Sequence, residues 1–254
     1  MTGRLKGRTA LITGASSGLG KRFAEVMARE GARVVLAARR KDRLDALVKE
    51  IAAAGGEALA IACDVTSEAS VIAAYDAAEK RFGLVDTVVN NAGMTHSDNA
   101  MTQSVDEFRR IMDLNVTSVW MVAREAARRL VKAGVEASAK GRIVNIASMA
   151  GRYVIPNVSA YNASKAACAH LTRSLAREWA RYGINVNALS PGYVATELTE
   201  EWLSGEGGAK TIGKAPRRRI MDADSLDEAI LFLCSDGAKF VTGADVLVDD
   251  AQSL

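Results

Sequence analysis

Cysteine and histidine are scarce in this 254-residue chain, and neither is clustered. Cys63, Cys168 and Cys234 are odd in number and far apart, which argues against a disulfide framework and suits reduced thiols in a cytoplasmic protein. His96 and His170 have no metal-ligand spacing with each other or with cysteine, so no metal is expected. Charge of one sign is lacking too: 33 basic residues stand against 30 acidic ones, spread along the chain, for a net +3. That balance argues against a nucleic-acid partner. No apolar run approaches membrane-spanning length, and none precedes a cleavage site near Met1, so no membrane partner and no export are expected. Only three prolines occur, which leaves turns mainly to the 21 glycines. Aromatics make up 5%, while the 49% hydrophobic share is rich in Ala and Val, as suits parallel strands covered by helices. With no repeat, low-complexity segment or linker, residues 1–254 read as one domain able to bury a core unaided.

What is present is an alternation of short β-rich runs and amphipathic helices. Strands are expected at Arg8–Ile12, Arg33–Ala38, Ala58–Ala62, Val85–Val89, Gly141–Ile146, Ile184–Leu189 and Asp245–Val248. Helices are expected at Lys21–Arg29, Asp42–Ala54, Ser67–Phe82, Asp106–Val131, Ser159–Tyr182 and Ser225–Leu233. This order predicts an α/β fold: a single-domain, doubly wound Rossmann sheet of about seven parallel strands. Ligands of such sheets bind beyond the strand C-termini, so the chemistry should lie in the loops there.

The first of these loops is Thr13-Gly14-Ala15-Ser16-Ser17-Gly18-Leu19-Gly20, between a strand and a helix. Glycines let a backbone approach a pyrophosphate closely, and the helix N-terminus offers free N–H groups to it. The spacing G-x-x-x-G-x-G differs from the common dinucleotide G-x-G-x-x-G. At the end of the second strand, where an acid would bind a ribose 2′-hydroxyl, stands Ala38, followed by Arg39 and Arg40. A guanidinium fork suits a 2′-phosphate, so NADP(H) is the preferred expectation and NAD(H) the alternative.

Tyr161 and Lys165 are four apart on an expected helix and share one face. A nearby ammonium stabilises a phenolate, which makes the pair a candidate proton donor and acceptor at neutral pH. Ser148 ends the fifth strand, and Asn115 lies mid-helix, where asparagine is a poor helix former.

Nearly the whole chain resembles the classical short-chain dehydrogenase/reductase family, and is similar to its 3-oxoacyl-carrier-protein reductase-like members. The resemblance rests on the T-G-x-x-x-G-x-G of Thr13–Gly20, the N-N-A-G of Asn90–Gly93 and the Y-x-x-S-K of Tyr161–Lys165. A serine thirteen residues before the tyrosine, here Ser148, completes it. The resemblance implies a catalytic tetrad of Asn115, Ser148, Tyr161 and Lys165, with Asn115 distorting its helix and holding a water that joins Lys165 to solvent. It implies that Gly14, Ser16, Ser17, Gly18, Leu19 and Gly20 take the phosphates, with Arg39 and Arg40 beside them. Asp64 and Val65 would hold the adenine. Asn91, Ala92, Gly93, Tyr161, Lys165, Pro191, Gly192, Val194 and Thr196 would face the rest of the cofactor. The activity implied is hydride transfer between the nicotinamide and a small carbonyl or secondary alcohol, in a homotetramer or homodimer built on the two long helices.

Specificity in the family lies after the sixth strand, so a substrate loop or lid is expected at about residues 195–220. Met94, His96, Met149, Tyr153, Asn157, Tyr193 and Trp202 are the expected pocket borders. The run Arg217-Arg218-Arg219 is either a solvated face or a site for an acidic carrier protein or CoA. One departure stands out. Family chains commonly end V-D-G-G, and this one reads Val248-Asp249-Asp250-Ala251, which unsettles a turn expected near the pocket and at a subunit contact. Other readings are an NAD-preferring alcohol or sugar dehydrogenase and a non-catalytic dinucleotide sensor; a complete tetrad argues against the sensor. An extended-branch epimerase or dehydratase would need a longer chain.

Overall fold

The computed structural model describes residues 3–196, 199 and 205–254, without the side chains of Glu206 and Ala209. Seven strands form one sheet: β1 (Thr9–Thr13), β2 (Arg33–Ala38), β3 (Glu57–Ala62), β4 (Thr87–Asn90), β5 (Arg142–Ile146), β6 (Asn185–Pro191) and β7 (Asp245–Val248). Their order is β3-β2-β1-β4-β5-β6-β7, and every pairing is parallel. The chain reverses its direction of travel across the sheet between β1 and β4. A crevice opens there beyond the strand C-termini, as the doubly wound topology requires.

Helices cover both faces: α1 (Gly18–Arg29), α2 (Lys41–Ala53), α3 (Glu68–Phe82), α4 (Val105–Met112), α5 (Ser118–Lys132), α6 (Val135–Ser138), α7 (Ser159–Trp179), α8 (Glu206–Lys214) and α9 (Asp227–Cys234). The alternation of strand side chains assigns each residue to a face. Ala10, Ile12, Val34, Leu36 and Val144 point to one side, where they pack with Phe23 and Met27 of α1, Leu44 of α2 and Ile230 of α9. Leu11, Val35, Ala37, Val88 and Ile143 point to the other, against Tyr75 of α3, Val122 of α5 and Leu175 of α7. Truncating one of these, such as Ile12→Ala, costs about 2–5 kcal/mol. Cys63, Cys168 and Cys234 are free thiols buried in this interior. Burial pushes all three above the ordinary thiol range, Cys234 to about 12.

The structure corrects one expected element. The helix read from Asp106 to Val131 is divided by a π-helical turn at Asp113–Thr117, between α4 and α5. A π turn inserts an extra residue and rotates one side chain out of the regular series. Here Asn115 is carried inward to full burial. The segment at 195–220 is not wholly irregular, since α8 lies within it, and its remaining expected features around Trp202 fall outside the described residues. No helix of the described residues is long and apolar enough to cross a membrane.

Candidate active site

A cleft of about 920 Å³ opens along the C-terminal ends of the strands. Gly14, Ser16, Ser17, Gly18, Leu19, Arg39, Arg40, Asp64, Val65, Asn91, Ala92, Gly93, Met94, Ser148, Tyr161, Lys165, Pro191, Gly192, Val194 and Thr196 all line it. Residues far apart in sequence therefore meet because the strands are all parallel and the segments after β1 to β6 leave the same edge of the sheet.

The glycine loop forms one end. Ser17 stands at the N-cap of α1 in extended geometry and its side chain makes no capping bond, so the first helical N–H groups face the cleft without one. Gly20 lies behind the loop, where a Cβ would meet Gly14 O at 2.4 Å and Asn91 Nδ2 at 2.5 Å. Asn91 clamps the loop in turn. Its Nδ2 donates to Thr13 O at 3.0 Å, and the Asn91 and Ala92 N–H groups donate to Thr13 Oγ1, each at 3.0 Å.

Arg40 lies across this loop, with Nη2 donating to Ser16 Oγ at 3.0 Å and Ser17 Oγ at 2.7 Å. Arg39 and Asp64 both line the cleft. The Asp64 carboxyl is held below the usual carboxylate range, first by the Thr66 hydroxyl at 2.7 Å and the Thr66 N–H at 3.0 Å, and also by the Arg39 charge.

At the other end, β5 delivers Ser148, whose Oγ accepts from Ala150 N at 3.1 Å and starts the 3₁₀ turn Met149–Gly151. Tyr161 and Lys165 project from α7 one helical turn apart. Lys165 Nζ lies 5.7 Å from the Tyr161 ring centroid and donates to Ile146 O at 2.8 Å. Asn115 is spoken for on both sides: Oδ1 accepts from Met94 N, and Nδ2 donates to Met94 O and Ser164 Oγ, each at 2.9 Å. Its side chain joins the π turn, the Gly93–Met94 loop and α7. Asn90, Asn145 and Thr172 make a buried chain beneath, with bonds of 2.9 Å from Asn90 Nδ2 to Asn145 Oδ1 and from Asn145 Nδ2 to Thr172 Oγ1.

Of the expected pocket borders, Met94 lines the cleft and Trp202 lies outside the described residues. Tyr193 is half-buried and does not line the cleft; burial pushes its phenol up to about 12, with smaller contributions from Tyr153 and Tyr161. Met149 is buried, whereas Tyr153, Asn157 and His96 are exposed, and none of the four lines the cleft. Arg217 and Arg219 turn to Asp250 at 3.1 and 2.6 Å, so two of the three basic residues in that run have a carboxylate partner within the chain. The described residues contain no metal-holding group of His, Cys, Asp or Glu.

The wall that sequence reasoning missed is α4. Asp106, Arg109 and Arg110 line the cleft, followed by Asp113 and Leu114 of the π turn. The signal was there, since 106, 109, 110 and 113 share one helical face, but an alternating charged face ordinarily belongs to solvent.

Known proteins resemble the chain over nearly its whole length. The family model described as enoyl-(acyl carrier protein) reductase matches residues 14–250. The chain is 35% identical to gluconate 5-dehydrogenase of Gluconobacter oxydans, over 96% of this chain and 94% of that one. It superposes on a short-chain type dehydrogenase/reductase from Mycobacterium marinum with a TM-score of 0.92 at 39% identity, covering 98% and 96% of the two chains. A 7α-hydroxysteroid dehydrogenase in complex with NADH and 7-oxo glycochenodeoxycholic acid superposes with a TM-score of 0.91 at 35% identity, covering 98% and 95%. The chain belongs to the classical short-chain dehydrogenase/reductase family, and is an oxidoreductase of the CH–OH/C=O class.

Proposed function

We propose that this protein is an NADP(H)-dependent carbonyl reductase, or alcohol dehydrogenase in the reverse direction, with Tyr161 as the proton donor and acceptor. The observation that carries the reading is the shared cleft: Ser148, Tyr161 and Lys165 face the same space as the glycine loop and Arg39. The residues fit a dinucleotide. A phosphate can approach the uncapped start of α1, and the close packing at Gly20 lets loop and helix meet. Ala38 leaves the 2′ position without a repelling acid, and Arg39 with Arg40 would hold a phosphate there. The nicotinamide, when bound, supplies or accepts the hydride.

The chain's own residues handle the oxygen and its proton. Ser148 Oγ would donate to the substrate oxygen and stabilise charge growing on it. Tyr161 would give that oxygen its proton in reduction and take it back in oxidation. Lys165, fixed by Ile146 O, holds positive charge beside the phenol. Asn115 anchors the Met94 loop next to Lys165, and a water held there would return the proton from solvent. The test is NADPH oxidation with a panel of ketones, aldehydes and keto sugars, run also in reverse with the alcohols. No turnover in either direction, by a protein that binds NADPH, would leave the sensor reading instead.

We propose a dimer or tetramer built on the two long helices. Phe108 on α4 and Trp120 on α5 are exposed aromatics. Sedimentation of the purified protein as a monomer would refute this.

A further inference from the structure

After β6 the chain leaves the sheet at Tyr193 and comes back beside its own start at Met221. Met221 N donates to Tyr193 O at 3.0 Å and Ala195 N to Met221 O at 3.1 Å, so Val194 and Met221 pair as a short parallel bridge. The turn after β7 grips this junction from the other side. Gln252 is buried, and its Oε1 accepts from Tyr193 N at 2.6 Å. Its Nε2 donates to Arg219 O at 3.2 Å and, more distantly, to Tyr193 O at 3.4 Å. One amide thus holds both the outgoing and the returning segment.

Asp250 holds the returning segment a second time. Its carboxylate accepts from Arg219 Nε at 2.6 Å and Nη2 at 3.2 Å, and lies 3.1 Å from Arg217 Nη1. The turn is shaped for this. Asp250 and Ala251 adopt left-handed φ values of 51° and 65°, conformations that favour glycine, yet no glycine is present. Asp249 compensates, since its carboxylate accepts from the Ala251 and Ser253 N–H groups, each at 3.1 Å, and from the Ser253 hydroxyl. The turn seats directly on Gly192, where a Cβ would lie 2.4 Å from Gln252 Oε1 and 2.8 Å from Asp249 Cα.

We propose that Gln252 and Asp250 are positioning residues: a two-point clamp that sets the cleft wall formed by Pro191, Gly192, Val194, Thr196 and Thr199. Thr199 Oγ1 donates to Val194 O at 2.6 Å and extends the clamped geometry along that wall. The effect on turnover rests on the function proposed above; the clamp itself does not. Asp250 stands where family chains commonly have glycine, which has no carboxylate to grip Arg217 and Arg219.

Hydrogen exchange in the nucleotide-free protein tests the clamp directly, because the Tyr193 N–H donates to Gln252 itself. Gln252→Ala is expected to speed exchange at Tyr193 and Met221 about tenfold, with Asn187 and Leu189 in β6 unchanged. Asp250→Asn is expected to speed tryptic cleavage after Arg217 and Arg219 about two- to threefold, as befits an exposed pair, and Asp250→Glu to restore the wild-type rate. In turnover, Gln252→Ala should raise the KM for NADPH about tenfold while kcat stays within about twofold, the signature of lost positioning rather than lost chemistry. Unchanged exchange at Tyr193 and Met221 in a folded Gln252→Ala protein overturns the proposal. Should that variant not fold, unchanged cleavage in Asp250→Asn overturns it instead. A wild-type protein that binds no nucleotide would defeat the proposed function, while the exchange and cleavage results would still decide the clamp.

Discussion

Lys165 Nζ donates to the carbonyl oxygen of Ile146 at 2.8 Å, which ties the helix carrying Tyr161 to the strand that delivers Ser148. Lys165 is 6% exposed, so this bond is made largely out of water. Removing the ammonium leaves a buried carbonyl without that donor and takes charge away from the phenol.

Two variants at this pair should therefore part company. Tyr161→Phe is expected to lower kcat by about 10²–10⁴-fold while the melting temperature and NADPH affinity stay near wild type. Lys165→Met is expected to lower kcat similarly and also to destabilise the fold by about 1–3 kcal/mol, because the Ile146 carbonyl is left unpaired. Steady-state kinetics, thermal melts and nucleotide fluorescence separate the two. Full activity in Tyr161→Phe would sink the proton assignment.

Cofactor choice should follow the arginines. Arg39→Ala is expected to cut kcat/KM with NADPH by about 10–100-fold, the value of one or two charge-assisted bonds, and to leave NADH nearly unaffected. Arg40→Ala should weaken both cofactors, since Arg40 also braces Ser16 and Ser17 of the phosphate loop. The measurement is the NADPH-to-NADH ratio of kcat/KM. An equal ratio in wild type and Arg39→Ala would count decisively against NADP(H) recognition at this position.

Gly20→Ala tests the close approach behind the phosphate loop. The added methyl would meet a backbone oxygen at 2.4 Å, which has no flexible end to move aside. We expect a loss of about 1–3 kcal/mol in chemical denaturation and a larger loss of nucleotide affinity, because the loop must shift. Wild-type stability and affinity together would show that the loop has slack.

The Tyr193 phenol gives a pH test. Burial pushes it up to about 12, above the value of about 10 for a free tyrosine. The folded state therefore favours the protonated form. Its stabilising contribution is complete below about pH 10 and is lost as pH rises through about 12. Spectrophotometric titration should show a late-ionising tyrosine that disappears in Tyr193→Phe. Across that alkaline range, the melting temperature of Tyr193→Phe should gain on wild type.

The sheet was legible because its strands are short, Val- and Ala-rich and regularly punctuated by glycine. That one cleft gathers the glycine loop, Asn91 and the Tyr161–Lys165 pair was legible for a related reason: they sit at strand and helix ends whose positions the alternation already marks. A distortion at Asn115 was implied by the family resemblance, but its form as a π turn over Asp113–Thr117 was not legible, because hydrophobic periodicity runs on through a single such turn. The part of α4 in the cleft wall was not legible, since sequence does not show that its charged face lies beside an open cleft. The clamp by Gln252 was invisible for a different cause. An ordinary glutamine became a two-sided anchor only through contacts with Tyr193 and Arg219, residues 59 and 33 positions away.

All three thiols lie in the interior, and burial raises each above the range where a thiolate forms readily. A thiol-reactive dye should then label the native protein slowly and the opened chain fast, so alkylation becomes a built-in clock for opening of the fold. Cys63 reports from the end of β3, Cys168 from the middle of α7 and Cys234 from the end of α9. Their separate labelling rates would map which part of the domain yields first, and a cysteine engineered on the cleft rim would react ahead of all three.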